Sequence, residues 1–243
     1  DAMPQVLPNV FDPEMADSVR RRLRQSGMTV LISTATTGIT GEGRAAGVAT
    51  ANGSIPADVV VLAIGIHPAT GFLEGSGVEM CKGAVLVDET MATNLPDVYA
   101  AGDCAMVRNR LTGKPQWSAM GSTANITARC LAKTITGTPC TYGGCLGTGV
   151  VKLLPDLNGG RTGLTEEQAK QAGYHPATVV CVVDDKAHYY AGSAPFVVKL
   201  LADRATHTLL GIQVLGAGAV DKMVDIAVTG LAGGMTLEEF DTL

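Results

Sequence analysis

Thr93-Asn-Leu-Pro-Asp-Val-Tyr-Ala-Ala-Gly-Asp103 is the stretch of sequence on which the fold prediction rests. Residues Val98 to Ala101 predict a short buried strand, and Gly102 allows the backbone to approach a ligand closely. Asp103 then presents a carboxylate at the carboxyl end of that strand, where open α/β sheets bind their ligands. The alternative is a plain strand followed by a turn, because Gly-Asp is also common turn chemistry.

A second strand-like segment upstream favours the ligand-binding interpretation. It reads Ala57-Asp-Val-Val-Val-Leu-Ala-Ile-Gly65 and, like the first, ends in a glycine. Residues 59–64 predict a buried strand. Gly65 either approaches a cofactor closely or simply ends the strand in a turn.

The remaining pattern predicts strands and helices along the whole chain. Asp12 is expected to be the N-cap of a helix that has Pro13 in its first turn. A second helix, rich in small and apolar residues, is expected from Ser118 to about Lys133. Beyond residue 147 the pattern predicts strands separated by turns, with a helix at 165–172 and two more after the sheet. The expected strands are 29–33, 45–50, 84–87, 150–154, 179–183, 196–201 and 209–215.

Composition argues against several classes of function. The net charge is −5, and there is no basic tract beyond Arg20-Arg-Arg22, which argues against nucleic acid as a partner. No apolar run reaches the roughly 18 residues of a transmembrane helix, and no signal peptide opens the chain. We therefore expect a cytoplasmic protein that does not bind a membrane.

The two glycine-ended segments together resemble the pyridine nucleotide–disulfide oxidoreductases, which are FAD enzymes that use NADH or NADPH. The most similar group comprises the NADH oxidases, NADH peroxidases and coenzyme A–disulfide reductases. Further segments similar to that group are Gly121-Ser-Thr-Ala-Asn125, Arg161-Thr-Gly-Leu-Thr165, His188-Tyr-Tyr190 and Gly218-Ala-Val-Asp-Lys-Met-Val-Asp225.

The resemblance implies an α/β fold in which remnants of NAD(P)- and FAD-binding Rossmann-like domains precede an α+β dimerisation domain. Residues 1–65 would be the closing part of the NAD(P)-binding domain. Residues 66–140 would be the second segment of the FAD-binding domain, and residues 141–243 the dimerisation domain. The implied assembly is a homodimer formed through the carboxyl-terminal domain.

The resemblance also implies cofactor-binding residues. Gly102 and Asp103 would hold the ribityl hydroxyls of FAD. Ser118, Ala119 and Met120 would direct the N–H groups of a helix start toward the N1–C2 carbonyl edge of the flavin. The helix dipole favours negative charge at that edge.

Four further positions are implied to contact the nicotinamide or the substrate. Gly65 would approach the nicotinamide cofactor, and Thr123 would lie near the second substrate. Tyr189 and Tyr190 would reach across the dimer toward the substrate site of the other subunit. The alternative for a tyrosine pair is half-buried packing.

The parts that would carry the covalent chemistry are missing from the sequence. The family has two glycine loops, each between a strand and a helix, and a redox cysteine near the first loop. Gly41-Glu-Gly43 leads instead into a hairpin signal at Asn52-Gly53. Gly216-Ala-Gly218 is followed by Asp221, whose charge would repel a phosphate. We assign no catalytic residue and expect a carboxyl-terminal portion, trimmed at both ends, that does not turn over by itself.

The six cysteines indicate neither a disulfide framework nor a metal site. They are scattered along the chain, and none forms Cys-x-x-Cys or a zinc-ligand pattern. Cys140 and Cys145 have the four-residue gap of the redox pair in glutathione reductase-like members of the family, but they lie in a glycine-rich linker. We interpret the cysteines as thiols without a redox role and expect no bound metal.

The implied parent enzyme passes hydride from NADH or NADPH to flavin, and then to a disulfide such as coenzyme A disulfide, to a peroxide or to oxygen. The sequence leaves the nicotinamide and the acceptor open. One alternative is a non-catalytic dimerisation module without flavin. Another is a relative of the ferredoxin and rubredoxin reductases, which lack the signatures at 161–165 and 188–190. A purified sample is expected to be colourless, because half of the FAD site is missing.

Overall fold

The computed structural model describes residues 1–242 of the chain. Its helices are α1 (Pro13–Gln25), α2 (Gly121–Ile135), α3 (Glu166–Gln171), α4 (Val220–Gly233) and α5 (Leu237–Phe240). Its strands are β1 (Thr36–Thr40), β2 (Gly47–Thr50), β3 (Gly53–Pro56), β4 (Met80–Cys81), β5 (Ala84–Leu86), β6 (Ala105–Arg108), β7 (Pro115–Trp117), β8 (Gly149–Leu154), β9 (Leu157–Gly163), β10 (Pro176–Asp184), β11 (Pro195–Asp203) and β12 (Leu209–Gly216). The α/β class predicted from the sequence is confirmed.

The strands form three sheets. Strands β1, β2 and β3 form an antiparallel meander, with the predicted hairpin turn between β2 and β3. The second sheet has the order β4-β5-β6-β7, and only β5 and β6 are parallel in it. The third is antiparallel throughout, with the order β10-β11-β12-β9-β8. Within residues 1–242, none of the helices is long and apolar enough to span a bilayer.

The five-stranded sheet is covered on both faces. Helix α4 packs on one face, where Ile212 and Val214 of β12 belong to its apolar cluster. The other face is covered by α1 and by Phe11, which lies just before that helix and packs with Leu215. Burial from both sides explains why β12 is buried along its whole length.

The sequence pattern does not predict strand β9, because glycine is a poor strand former. The packing explains its glycines. A Cβ atom on Gly159 would lie 2.9 Å from the Phe11 ring, and one on Gly160 would lie 2.8 Å from Val224 of α4. Neighbouring strand residues point to opposite faces of the sheet. Gly159 therefore lets Phe11 approach one face closely, and Gly160 lets α4 approach the other.

Replacing Gly160 with alanine is expected to lower the free energy of unfolding by about 1–3 kcal/mol, because the added methyl group overpacks the contact with α4. Gly149→Ala in β8 is the matched control, since nothing lies within 4 Å of its Cβ position. Urea unfolding measures both variants. A change of equal size in the two would contradict the close-approach role of Gly160.

A buried ion cluster joins α1 to the five-stranded sheet. The Lys199 ammonium, whose side chain is 1% exposed, lies 2.9 Å from the Asp12 carboxylate and 3.1 Å from that of Glu166. It also contacts the Glu14 carboxylate. Asp12 accepts a further hydrogen bond from the Gln213 amide at 2.6 Å. The charges are therefore paired and hydrogen-bonded, as buried charges require.

This cluster changes the role expected for Asp12. The residue occupies the N-cap position of α1, but its carboxylate makes no capping hydrogen bond. The carboxylate turns instead to Lys199 and accepts from the Glu166 N–H at 3.1 Å, at the start of α3. Hydrogen bonds from Lys170 and Lys199 lower the pKa of Glu166, so its carboxylate stays charged beside the ammonium.

Two apolar segments that the sequence predicts as strands, Thr29–Ser33 and Val59–Ile64, have no regular secondary structure. In the second, Val61 is 82% and Ile64 is 87% exposed. An apolar strand of this kind needs hydrogen-bonded neighbours and cover on both faces. No strand of residues 1–242 pairs with either segment, so both predictions are wrong for this chain.

The strand predicted at Val98–Ala101 is also wrong, because only an isolated bridge between Ala92 and Tyr99 forms there. Asp97 has a φ of 60°, and the chain turns back tightly around it. Asp103 therefore does not follow a strand. It lies in a short 3-10 turn, Gly102–Cys104, that leads into β6.

Candidate functional site

The Gly102–Cys104 turn is held in place by helix α2. Gly102 has a φ of 78°, in the left-handed region that favours glycine. Its N–H donates to the Thr127 hydroxyl at 3.3 Å, and that hydroxyl donates to the Thr123 carbonyl at 2.8 Å. A Cβ atom on Gly102 would lie 3.7 Å from the Ala124 methyl group, which is ordinary contact. The turn thus rests on the first two turns of α2.

Asp103 presents an unpaired carboxylate beside this contact. The Trp117 ring N–H donates to the Asp103 backbone carbonyl at 2.7 Å, which fixes the backbone of the residue. The side chain belongs to an exposed residue and makes no hydrogen bond or ion pair within the described part of the chain. A carboxylate of this kind is available to accept several hydrogen bonds from ligand hydroxyl groups.

Helix α2 begins three residues later than the sequence predicts, with Met120 as its N-cap. The Met120 N–H donates to the Ser118 carbonyl at 2.9 Å, so it is not free for a ligand as expected. The helix N–H groups without an intrahelical acceptor are those of Gly121, Ser122 and Thr123. No side chain caps them. The amino end of α2 therefore keeps its capacity to bind an electron-rich group.

A buried hydrogen bond explains the later helix start. The hydroxyls of Ser118 and Thr123 lie 2.8 Å apart, and both residues are buried. This bond joins the extended segment 118–120 to the first turn of α2. The sequence places Thr123 beside the substrate, whereas the structure places its hydroxyl against Ser118. A contact of Thr123 with substrate stays a prediction.

A cavity of about 890 Å³ opens beside this segment. Trp117, Ser118, Ala119 and Met120 line one part of it, and Val150 of β8 lines another. Three of the residues predicted to bind the cofactor therefore share one cavity with β8 of the five-stranded sheet. Its volume is in the range of small-molecule sites.

Gly65 is the predicted cofactor residue that the structure does not bring to this contact. It is exposed, has a φ of 118° and has no atom within 4 Å of its Cβ position. The conformation requires glycine, as the sequence suggests. Its approach to a nicotinamide stays a prediction.

The tyrosine pair lies in the connection between β10 and β11 and is exposed. Tyr189 is 77% and Tyr190 is 60% exposed, with ring centroids 5.2 Å apart. The alternative of half-buried packing is therefore wrong within this chain. Large exposed aromatic rings next to an exposed strand are available for contact with another chain.

Neither glycine-rich segment forms a phosphate-binding loop. Gly41-Glu-Gly43 lies in the connection between β1 and β2, with no helix after it. Gly218 does precede α4, but the Asp185 carboxylate occupies the space that its Cβ atom would take. A phosphate near Gly218 would meet this like charge. The lack of a helix after Gly43 and the Asp185 charge beside Gly218 therefore exclude the two segments as pyrophosphate sites. No metal-binding cluster of His, Cys, Asp or Glu occurs among residues 1–242.

Two residues that organise the site are missed by sequence reasoning. Thr127 lies four residues after Thr123, on the same face of α2, and this spacing is the only signal of its role. Trp117 is conspicuous as the single tryptophan. Its bond to Asp103 depends on β7 folding back along β6, which the sequence pattern does not predict.

Two family models match the chain. The pyridine nucleotide-disulphide oxidoreductase model matches residues 1–125, and the model of the dimerisation domain of these enzymes matches residues 154–243. The chain belongs to the pyridine nucleotide-disulphide oxidoreductase family. The family predicted from the sequence is confirmed, and FAD with NADH or NADPH are the cofactors that this family uses.

Curated relatives of this chain include two Pyrococcus enzymes. The NAD(P)H sulfur oxidoreductase (CoA-dependent) of Pyrococcus furiosus is 34% identical, over 98% of this chain and 54% of the relative. The NAD(P)H coenzyme A polysulfide/persulfide reductase of Pyrococcus horikoshii is 33% identical, over 98% of this chain and 53% of the relative. The chain thus spans about half the length of the curated relatives it matches.

Solved structures of the family have the same fold. The NAD-dependent persulfide reductase from A. fulgidus superposes with a TM-score of 0.94 at 34% identity, covering 100% of this chain and 45% of that one. The reduced CoADR-RHD of Bacillus anthracis superposes with a TM-score of 0.90 at 29% identity, covering 97% of this chain and 42% of that one.

Thr127→Val is expected to lower the free energy of unfolding by about 1–3 kcal/mol, because it leaves the Gly102 N–H without its acceptor. Thr136→Val is the matched control, since the Thr136 hydroxyl bonds only to carbonyls of its own helix. Denaturant unfolding compares the two variants. If the Thr127→Val protein is as stable as the control, the turn does not depend on this hydroxyl.

Proposed function

We propose that this chain is the carboxyl-terminal part of an FAD-dependent NAD(P)H oxidoreductase whose final acceptor contains a sulfur–sulfur bond. The observation that carries the proposal is the packing of the Gly102–Cys104 turn, with its unpaired Asp103 carboxylate, against the uncapped amino end of α2. The Asp103 carboxylate offers hydrogen-bond acceptors, and the amino end of α2 beside it offers N–H donors. FAD requires both, since it has a polyol arm and a polar ring edge.

The residues of the chain fit one half of an FAD site. Asp103 would accept hydrogen bonds from the ribityl hydroxyls, and Gly102 would keep the turn free of a side chain next to them. The amino end of α2 would stabilise negative charge at the N1–C2 edge of the ring. Ser118, Ala119 and Met120 would line the space beside that ring. FAD, when bound, accepts the hydride from the nicotinamide.

This part of the enzyme positions the cofactor and supplies no covalent chemistry. The described residues contain no glycine loop that accommodates a pyrophosphate, and none is assigned a catalytic role. Gly65 is proposed to lie against the nicotinamide. The boundaries of the three domains, after residues 65 and 140, are part of the same proposal.

We further propose that the enzyme is a homodimer in which Tyr189 and Tyr190 serve the substrate site of the other subunit. The exposed side chains of Val179, Val180 and Val182 on β10 support an interface there. Edge strands with exposed apolar residues are normally covered in native proteins. Thr123 is proposed to lie on the substrate side of the flavin, behind Ser118.

The sulfur acceptor is favoured by the relatives. Those at 32–34% identity are named for sulfur or persulfide reduction, whereas the relatives named NADH oxidase are 25–28% identical. Peroxide and oxygen remain the competing acceptors. The competing function is a dimerisation module without flavin, which the apolar cluster between α4 and the five-stranded sheet favours, because its buried members all lie within residues 196–227.

The acceptor is tested in the intact enzyme that contains this chain. Oxidation of NADH and of NADPH is followed with polysulfide, coenzyme A disulfide, hydrogen peroxide or oxygen as the only acceptor. We expect a sulfur compound to be reduced about tenfold faster than oxygen, a difference of ~1.4 kcal/mol in the barrier. A faster reaction with oxygen or peroxide would contradict the sulfur acceptor but not the flavin site.

The flavin site is tested separately by Asp103→Asn in the same intact enzyme. Loss of the charge weakens the hydrogen bonds from the ribityl hydroxyls, so FAD should bind about tenfold more weakly. Asp97→Asn is the matched control, because Asp97 is exposed and asparagine tolerates its φ of 60°. Flavin retained after dialysis is the measurement. Equal FAD affinity in both variants would contradict the role of Asp103.

A further inference from the structure

A second cavity, of about 490 Å³, lies on another side of α2. It is bounded by α2, by α4 and by the segment 140–148 that leads to the dimerisation sheet. Three cysteines line it, Cys130 from α2 and Cys140 and Cys145 from the segment. Ser118 and Thr123 of the proposed flavin site also line it, whereas Asp103 and Met120 do not.

The Cys130 and Cys140 thiols face the same cavity. Cys130 is buried and Cys140 is half-buried. The Glu89 carbonyl fixes this arrangement from both sides. It accepts from the Cys130 thiol at 3.6 Å and from the Tyr142 N–H at 2.7 Å, so the segment that carries Cys140 is tied to the Cys130 turn of α2.

The structure thus gives Cys140 a different neighbour from the one that the sequence spacing suggests. Cys145 is 5% exposed, and its backbone bonds to Arg108 and Arg110 at the end of β6. Burial also raises the pKa of the Cys145 thiol. Cys130, ten residues before Cys140 and on another element, is the thiol within its reach.

The cavity has a positive lining in a protein of net charge −5. Its ionisable residues besides the thiols and Tyr142 are Arg110, Arg129 and Lys133. No carboxylate from the described residues lines it. A lining of this kind attracts anions.

We propose that Cys130 and Cys140 form a thiol–disulfide exchange site that takes small anionic disulfides. Cys140 is the attacking residue, because it is the more exposed of the two. Cys130 is the resolving residue, because it is buried and lines the same cavity. The exchange itself needs no flavin, although Ser118 lines both this cavity and the one beside the proposed flavin site.

The exchange balances without any further reagent. The Cys140 thiolate attacks one sulfur of the disulfide R–S–S–R, forms a mixed disulfide and releases one thiolate RS⁻. The Cys130 thiolate then attacks the Cys140 sulfur, forms the Cys130–Cys140 disulfide and releases the second RS⁻. The two protons from the protein thiols pass to the two released thiolates. The protein loses two electrons and the small disulfide gains them.

The electrostatics of Cys130 suit the second step. Burial, followed by the hydrogen bond and the charge of Cys140, raises the pKa of Cys130 to about 11, while Lys133 acts in the opposite direction. This raised pKa keeps the Cys130 thiol protonated while Cys140 reacts, so Cys130 attacks second.

The test uses the fully reduced chain with oxidised glutathione, which is anionic, as the probe. Peptide mapping without reductant should show a Cys130–Cys140 cross-link and a protein mass lower by two hydrogens at this site. Cys130→Ser should stop at a glutathione adduct on Cys140, and Cys140→Ser should form no cross-link. Cys181→Ser, which removes an exposed thiol of β10, is the matched control and should leave the cross-link unchanged.

Either of two results would overturn the exchange site. One is the absence of the cross-link in the wild-type map, which needs no variant to fold. The other is an adduct on Cys140 that persists although Cys130 is present. If only the exposed Cys104 and Cys181 react, the Cys130–Cys140 cross-link is absent and the exchange site is overturned.

The preference for anionic disulfides is tested with cystamine, a cationic disulfide, as the second probe. At low ionic strength the cross-link should form about tenfold faster with oxidised glutathione, and salt should reduce the difference. Lys133→Gln combined with Arg129→Gln should remove most of the difference in rate between the two probes. Equal rates with both probes in the wild-type chain would show that the positive lining does not select the ligand.

Discussion

The hydrogen bond from the Gly102 N–H to the buried Thr127 hydroxyl is the contact on which the candidate site depends. Asp103 lies in the turn on one side of this bond, and the uncapped amino end of α2 lies on the other. Each feature alone is common on protein surfaces. Held together, they offer a carboxylate for hydroxyl groups and free N–H groups for an electron-rich ring edge, which is the pattern that a flavin with its ribityl arm requires.

The rest of the fold supports this contact through close packing and one buried ion cluster. Gly159 and Gly160 let the coverings of both faces approach strand β9, and Lys199 binds the start of α1 to the same sheet. The cavity beside Ser118 is closed on its other side by β8 of that sheet. The geometry of the cofactor-side residues therefore depends on the dimerisation sheet as well as on α2.

The sequence correctly predicts the elements whose local residue pattern agrees with their environment in the fold. Helix α1, most strands of the five-stranded sheet and the glycine of the Gly102 turn follow from periodicity, capping and turn chemistry. The sequence pattern fails where the structure of a segment is set by a strand or side chain that is distant in the chain. Residues 59–64 have a strand composition but no strand beside them, and Asp12 turns from its helix to Lys199. Cys130 of α2 shares a cavity with Cys140, which the sequence does not predict because segment packing sets it.

The central claim is that the turn and the helix end hold one flavin between them. A crystal structure of the intact oxidoreductase with FAD bound tests it most directly. The account predicts the Asp103 carboxylate within hydrogen-bonding distance of the ribityl hydroxyls, and the first-turn N–H groups of α2 directed at the N1–C2 edge. A flavin bound elsewhere, with either group facing solvent, would contradict it.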